Sequence, residues 1–149
     1  MKAMLLAGAA GLFWGIGEVF TKVVLHSGKI GPVTAIAVRS TVALPVLWLV
    51  WLLVARSGAE PAGWTRAGTP TLARLTLGSG LLAGAGGMIC FYLALHAGEI
   101  TKVKPVAFTV APATAVLLGW LVLGEAMTAQ KALGVALVLA GVLVLTTSR

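Results

Sequence analysis

Residues that carry catalytic or metal chemistry are scarce in this chain. The 149 residues include one cysteine, two histidines and four acidic residues. The single cysteine, Cys90, excludes an intramolecular disulfide framework and a cysteine-based zinc site, and we interpret it as a small packing residue. Neither His26 nor His96 has a serine, cysteine or carboxylate at a spacing typical of nucleophilic catalysis. We therefore expect no metal, no cofactor and no enzymatic activity.

Charged residues are also sparse, and their pattern does not indicate a nucleic-acid-binding protein. Charged residues make up 10% of the chain and hydrophobic residues 59%, with a mean hydropathy of +1.03. The net charge is +7, but the basic residues are scattered singly between apolar stretches, so anionic lipid head groups are the expected neighbours. No soluble domain of this size would tolerate so apolar a surface.

Five apolar stretches fill most of the sequence, each close to the ~17–25 residues that cross a bilayer. They cover roughly residues 3–25, 33–54, 72–95, 103–123 and 129–145. Because a lipid-embedded segment must satisfy its own backbone polar groups, these stretches are predicted to be α-helices. The first resembles a signal peptide in starting Met1–Lys2, but it is too long and lacks a convincing cleavage site. The sequence thus predicts an all-α polytopic membrane protein, a single compact five-helix domain over residues 1–149.

An odd number of spans places the two termini on opposite sides of the membrane, so two copies joined end to end would face opposite ways. The bias of Lys and Arg in short loops normally fixes orientation, but here it is balanced. One side carries Lys2, Arg56, Arg66, Arg74 and Lys131. The other carries Lys22, Lys29, Lys102, Lys104 and Arg149. Two interpretations stay open: a weak bias resolved by the insertion machinery, or dual topology with pairing to an inverted copy.

Charged side chains inside the predicted spans mark the candidate site. Glu18 lies well inside the first stretch, Lys22 follows one turn later, and Arg39 lies in the second stretch. An intramembrane charge costs ~2.5–3.5 kcal/mol on insertion scales, so a retained one requires a reason. Glu18 and Lys22 are spaced i, i+4 and could form an ion pair of purely structural value. The alternative is a carboxylate that binds a proton or a cationic substrate.

Two aromatic side chains, Trp14 and Tyr92, could present ring faces to a cation, although a single aromatic is as often an interfacial or core residue. The third stretch is dense in glycine, which permits either tight helix crossing or a groove for a substrate. Its glycines are Gly78, Gly80, Gly84, Gly86 and Gly87. Pro45, Pro105 and Pro112 are predicted helix kinks, of the kind that alternating-access transporters use around a central cavity.

Several segments together resemble one five-helix EamA repeat of the drug/metabolite transporter superfamily. They are FWGIGEVFTK (13–22), AIAVRSTVALP (35–45), FYLALHAGEITKVKPV (91–106) and APATAVLLGWLVLGEAMTAQKALGVALVLAGVLVL (111–145). The LGE-x-x-T hinge before the last stretch is the most specific of these features. Most of the superfamily resembles two such repeats fused in inverted orientation, so the resemblance implies a half-size transporter that needs a second copy.

The last stretch is similar to the glycine heptad through which small multidrug resistance proteins dimerise. Gly134 and Gly141 share one helix face, and Ala132, Ala136 and Ala140 form a ridge of small residues, which allows close approach of helices in lipid. Packing within one chain is the alternative. GEV (17–19) resembles the motif around that family's essential glutamate, whereas EamA repeats usually carry an apolar residue at the place of Glu18. A site mixing Glu18, Lys22 and Arg39 therefore suits a zwitterion or an organic anion equally well.

These features predict a secondary transporter of a small solute in the cell (inner or plasma) membrane, working as an antiparallel homodimer with proton coupling through Glu18. Substrate or proton binding is expected at Glu18, Lys22, Arg39, Trp14 and Tyr92. Dimer contacts are expected at Gly134, Gly141, Ala136 and Ala140. The alternative function is a non-transporting membrane scaffold or regulatory subunit. The transporter predicts a polar cavity, whereas the scaffold predicts charges paired off in a dry bundle.

Overall fold

The computed structural model describes residues 1–61 and 63–147, so Arg149 of the charge comparison lies outside the described residues. The described chain is helical, with no strands, and the predicted all-α membrane fold is confirmed. Five helices are long and apolar enough to cross a membrane. They are α1 (Lys2–His26), α2 (Pro32–Arg56), α3 (Thr69–Ala97), α4 (Ile100–Leu123) and α5 (Ala129–Thr147). A short 3₁₀ turn, Trp64–Arg66, lies between α2 and α3.

The helices extend beyond the apolar stretches by one to three residues at most of their ends. The largest shifts are at the starts of α3 and α4, at Thr69 and Ile100 rather than at residues 72 and 103. Pro70 occupies the first turn of α3, where a missing N–H costs nothing because that turn has no intrahelical acceptor for it. Polar residues in a first turn are part of the helix but lie outside the hydrocarbon. Hydropathy alone therefore predicts helix starts that are a few residues C-terminal to the observed ones.

The middle of α3 is wound more widely than an α-helix. Regular α-helix over Thr69–Ala73 and Met88–Ala97 flanks a π-helical segment at Arg74–Gly87. All five glycines predicted to give this helix its character fall inside the π-helical segment. At four of these five glycines a built Cβ would lie within 4 Å of the carbonyl oxygen five residues earlier, and at Gly84 the distance to the Ser79 carbonyl oxygen would be 3.3 Å. Glycine avoids that contact. Its low α-helix preference also reduces the tendency of the segment to wind as a tighter α-helix.

We expect Gly84→Ala to be less favourable for stability than Gly78→Ala. A Cβ at Gly78 meets nothing within 4 Å, so alanine there should gain up to about 1 kcal/mol of helix preference. At Gly84 the same gain is opposed by the Ser79 carbonyl oxygen. The thermal unfolding midpoints of the two variants in detergent measure the difference. Equal midpoints would show that the wide winding imposes no demand for glycine at Gly84.

The α4–α5 connection is a left-handed helix end. Gly124 follows α4 with φ +68°, a conformation that favours glycine, and the Glu125 N–H donates to the Gly119 carbonyl at 3.0 Å. Lys131 Nζ then donates to the Ala126 carbonyl at 3.0 Å and lies 3.9 Å from Glu125 Oε2. The LGE-x-x-T segment of the sequence is therefore the helix-ending turn that carries the chain into α5.

The chain divides into two compact units, Met1–His96 and the part that begins at Ala97. In the first unit the buried residues are Glu18, Leu25, Tyr92 and Leu95, and in the second α4 and α5 pack together and bury Thr109. Most large apolar side chains of all five helices are exposed, as expected of helices whose surroundings are lipid. That residues 1–149 form one domain stays a prediction.

Candidate functional site

Three helices of the first unit bring polar side chains to a similar depth. Glu18 is eight residues before the end of α1, Arg39 is seven after the start of α2, and Tyr92 is five before the end of α3. At 1.5 Å per residue these separations are about 12, 10 and 8 Å. The three ends lie on one side of a membrane because the connections alternate, so the three side chains meet at a similar distance from the helix ends on that side.

Glu18 is the centre of this cluster. The residue is only 3% exposed, and Oε1 accepts a hydrogen bond and ion pair from Arg39 Nη1 at 3.3 Å. Oε2 is also buried and has no hydrogen-bond partner among the described residues. A buried carboxylate oxygen without a donor is costly, so a proton or the donor of a ligand would stabilise Oε2.

Arg39 bridges the carboxylate and the phenol. Its Nη1 also donates to Tyr92 Oη at 2.7 Å, and its guanidinium carbon lies 5.8 Å from the centre of the Tyr92 ring. Tyr92 is buried, whereas the Arg39 side chain is 41% exposed. The buried phenol therefore holds the Nη1 side of the guanidinium in place, and the edge that carries Nη2 and Nε remains open.

Lys22 has a role that the i, i+4 spacing does not indicate. Glu18 forms its ion pair across helices with Arg39 of α2, whereas Lys22 Nζ donates to the Leu95 carbonyl at 2.7 Å. Leu95 is in the last turn of α3, whose carbonyls have no intrahelical donors and form the negative end of the helix dipole. The ammonium therefore caps α3 and ties it to α1.

A half-open cavity of about 400 Å³ adjoins the cluster. Its lining includes Glu18, Arg39 and Tyr92, and the rest is mostly apolar. The lining residues are Phe13, Trp14, Gly17, Glu18, Phe20, Thr21, Val24, Ile30, Ala35, Val38, Arg39 and Tyr92. The volume is within the ~300–1,000 Å³ of small-molecule sites, and a few polar groups in an apolar wall are typical of them.

The cavity brings four of the five predicted site residues together: Trp14, Glu18, Arg39 and Tyr92. Lys22 is not among its lining residues. The sequence interpretation missed the apolar residues that share the cavity face. A partial signal exists, because the α1 lining positions 14 and 21 lie four residues before and three after residue 18, where a helix places neighbours on the same face.

The predicted dimer-contact residues all lie in α5 of the second unit and are exposed. Val135 and Val142 are the half-buried side of this helix. At about 100° per residue, Gly134 and Gly141 lie to one side of that face and Ala136 and Ala140 to the other. A Cβ built on either glycine meets nothing within 4 Å. The glycines and alanines thus form two separate stripes on α5.

The three predicted kink residues lie inside helices, Pro45 in α2 and Pro105 and Pro112 in α4. Each helix runs on past its proline, so a kink at any of them stays a prediction. No group of three or more His, Cys, Asp or Glu side chains that could hold a metal occurs within residues 1–61 and 63–147.

Five membrane-length helices with a charged cluster beside an apolar cavity define a multi-pass α-helical membrane protein. The model of the EamA-like transporter family matches residues 1–147, and the chain belongs to that family. It is therefore a membrane transporter of the drug/metabolite superfamily, which acts on small molecules from within the lipid bilayer. Transporters of this family are generally not enzymes. No curated protein and no solved structure matches the chain.

Proposed function

We propose that this protein is a proton-coupled secondary transporter of a small solute in the cell membrane. In this proposal the five-helix unit works with a second, inverted copy, and Glu18 carries the coupled proton. One observation supports the proposal above all others: the buried Glu18 Oε2 has no partner in the described chain and belongs to a residue that lines the cavity.

The charge cluster fits a working site better than a structural ion pair. A structural pair would satisfy both carboxylate oxygens, since a half-satisfied buried carboxylate keeps most of the desolvation cost. Glu18 satisfies one oxygen, and the guanidinium beside it is partly open. Ionisable groups at this depth commonly mark the path of a substrate or a proton. A scaffold subunit, the alternative function, would have no use for an open cavity beside an unsatisfied carboxylate.

Transport is tested in proteoliposomes that contain a pH-sensitive dye and an imposed proton gradient. Wild-type protein should move protons when amino acids, amines or organic acids are added from a defined panel, and protein-free liposomes should not. Proton movement that is independent of every solute in the panel would contradict coupled transport.

The second copy is proposed to pack against the glycine stripe of α5. Gly134 and Gly141 are two turns apart on one face, and a Cβ built on either would meet no atom of the described chain within 4 Å, although Gly134 also lines a groove beside α4. Small residues let helix backbones approach closely in lipid, where van der Waals packing drives association. An antiparallel partner would place Gly134 opposite the partner's Gly141, because the two helices run in opposite directions.

We expect antiparallel pairing to give a specific crosslink. Gly134→Cys and Gly141→Cys are made separately in a Cys90→Ser background, given different tags and co-expressed. An inverted pair should link the two differently tagged copies through a short bifunctional thiol reagent, and links between identical copies should be rare. A parallel pair would give the reverse pattern.

The alanine stripe supplies the matched control. Ala136 and Ala140 are exposed like the glycine positions but lie on the other flank of α5, so Ala136→Cys and Ala140→Cys serve as controls. Links at the alanines without links at the glycines would move the interface to that flank. Absence of links at both stripes would show that α5 does not form the contact.

A further inference from the structure

We propose that the Glu18–Arg39 cavity binds a zwitterion with an apolar side chain. Its ammonium binds Glu18 Oε2, and its carboxylate binds the open edge of Arg39. This inference rests on the proposed transport function, because it names the solute class that the same cavity would carry.

The ammonium position follows from the single unsatisfied oxygen. Glu18 Oε2 is a buried acceptor without a partner among residues 1–61 and 63–147, and it belongs to a lining residue of the cavity. A primary ammonium has only donors and no acceptor, so it can satisfy this oxygen and use its remaining N–H groups on other acceptors or water. A proton and an ammonium would compete for the same oxygen, which is the exchange that a proton-coupled transporter requires.

The carboxylate position follows from the donors that Arg39 leaves unused. A guanidinium has five N–H donors, and Arg39 uses Nη1 for both Glu18 and Tyr92. No residue of the described chain accepts from Nη2 or Nε, and the side chain is 41% exposed. Two adjacent nitrogens in one plane match the two oxygens of a carboxylate.

Charge balance favours a zwitterion over a net cation or anion. The formal charges of Glu18 and Arg39 cancel, so a ligand of net charge would leave one charge uncompensated at low dielectric. The Lys22 ammonium is not part of the cavity lining and lies on the negative end of α3. A zwitterion adds one charge of each sign, and each has an opposite partner in place.

The remaining lining predicts the rest of the ligand. Apart from the polar cluster and Thr21 the wall is formed by glycine, alanine, aliphatic and aromatic side chains, including Phe13, Trp14 and Val38. An aliphatic or aromatic side chain would bury apolar surface there, whereas a sugar or a second charged group would find few polar partners. Apolar α-amino acids have this chemistry.

The test compares binding of three matched ligands to the purified full chain. L-Phenylalanine carries both charges, phenethylamine lacks the carboxylate and hydrocinnamate lacks the ammonium. L-Leucine, isoamylamine and isocaproate form a second set with an aliphatic side chain. In titrations that follow the thermal unfolding midpoint, at least one zwitterion should bind at least about tenfold tighter than both of its fragments.

The Arg39→Lys variant tests whether Arg39 binds the carboxylate of the ligand, because lysine keeps a cation beside Glu18. A single ammonium cannot form the two-point contact, so the variant should lose about tenfold in zwitterion affinity and leave amine binding unchanged. Amines that bind as tightly as their zwitterions, no binding of either zwitterion, or an unchanged preference in Arg39→Lys would each overturn the proposal.

Binding of the zwitterion is measured without any proton flux. Zwitterion binding without coupled flux would therefore reject only the transport proposal, and coupled flux with another solute class would reject only this one.

Discussion

Replacing Arg39 by methionine is expected to lower the free energy of unfolding by about 1–3 kcal/mol, less than breaking a fully buried ion pair costs, because the Arg39 side chain is 41% exposed and partly screened. The Glu18 side chain is 4% exposed and would lose the one ion-pair partner that it has among the described residues. Methionine preserves much of the volume of arginine and provides no donor, so the loss reports mainly the stranded carboxylate. Unfolding in detergent, followed by circular dichroism, measures the change.

Because Glu18 is more buried than Arg39, the two single substitutions are expected to lower the free energy of unfolding by different amounts. Glu18→Gln should lower the free energy of unfolding much less than Arg39→Met does. Arg39 is 41% exposed, and the glutamine would still offer an amide oxygen as an acceptor for Arg39. The double variant Glu18→Gln with Arg39→Met should recover most of the loss, since it removes both charges. Equal costs for the two single variants, or no recovery in the double variant, would contradict the assignment of Glu18 as the buried and dependent partner.

The same Glu18→Gln variant is expected to abolish proton-coupled flux. Glutamine keeps the shape of glutamate and the contact to Arg39 Nη1, but its amide does not gain or release a proton. Substrate-dependent proton movement should therefore fall to the level of protein-free liposomes. Thr41→Val, at an exposed residue of α2 that does not line the cavity, is the matched control and should retain coupled flux because it does not alter the carboxylate.

The helices could be predicted because lipid imposes a simple rule. A segment that crosses hydrocarbon must be apolar and must satisfy its own backbone, so apolar runs and helices coincide to within a few residues. The first turns of α3 and α4 are the exceptions, since they project beyond the hydrocarbon and carry polar residues. The π-helical segment had only an indirect signal, its glycines, which also fit tight crossing.

The candidate site could be located from the sequence but its connections could not. Glu18 and Arg39 stood out because charge is rare in such helices, but local spacing pointed to Lys22 as the partner of Glu18. Pairing across helices depends on the depth at which each helix presents its residue, and the i, i+4 rule has no information about depth. The cap that Lys22 provides at Leu95 depends on where α3 ends in space, which no pattern within α1 indicates.

The most direct test of Glu18 as the coupling group measures flux and stability in one preparation of Glu18→Gln. Proteoliposomes report substrate-dependent proton movement, and the same detergent-purified sample gives the thermal unfolding midpoint. A proton-binding Glu18 predicts flux at the protein-free level with a midpoint close to wild type. Retained flux with a large fall in the midpoint would contradict it and leave Glu18 as a structural counter-ion of Arg39.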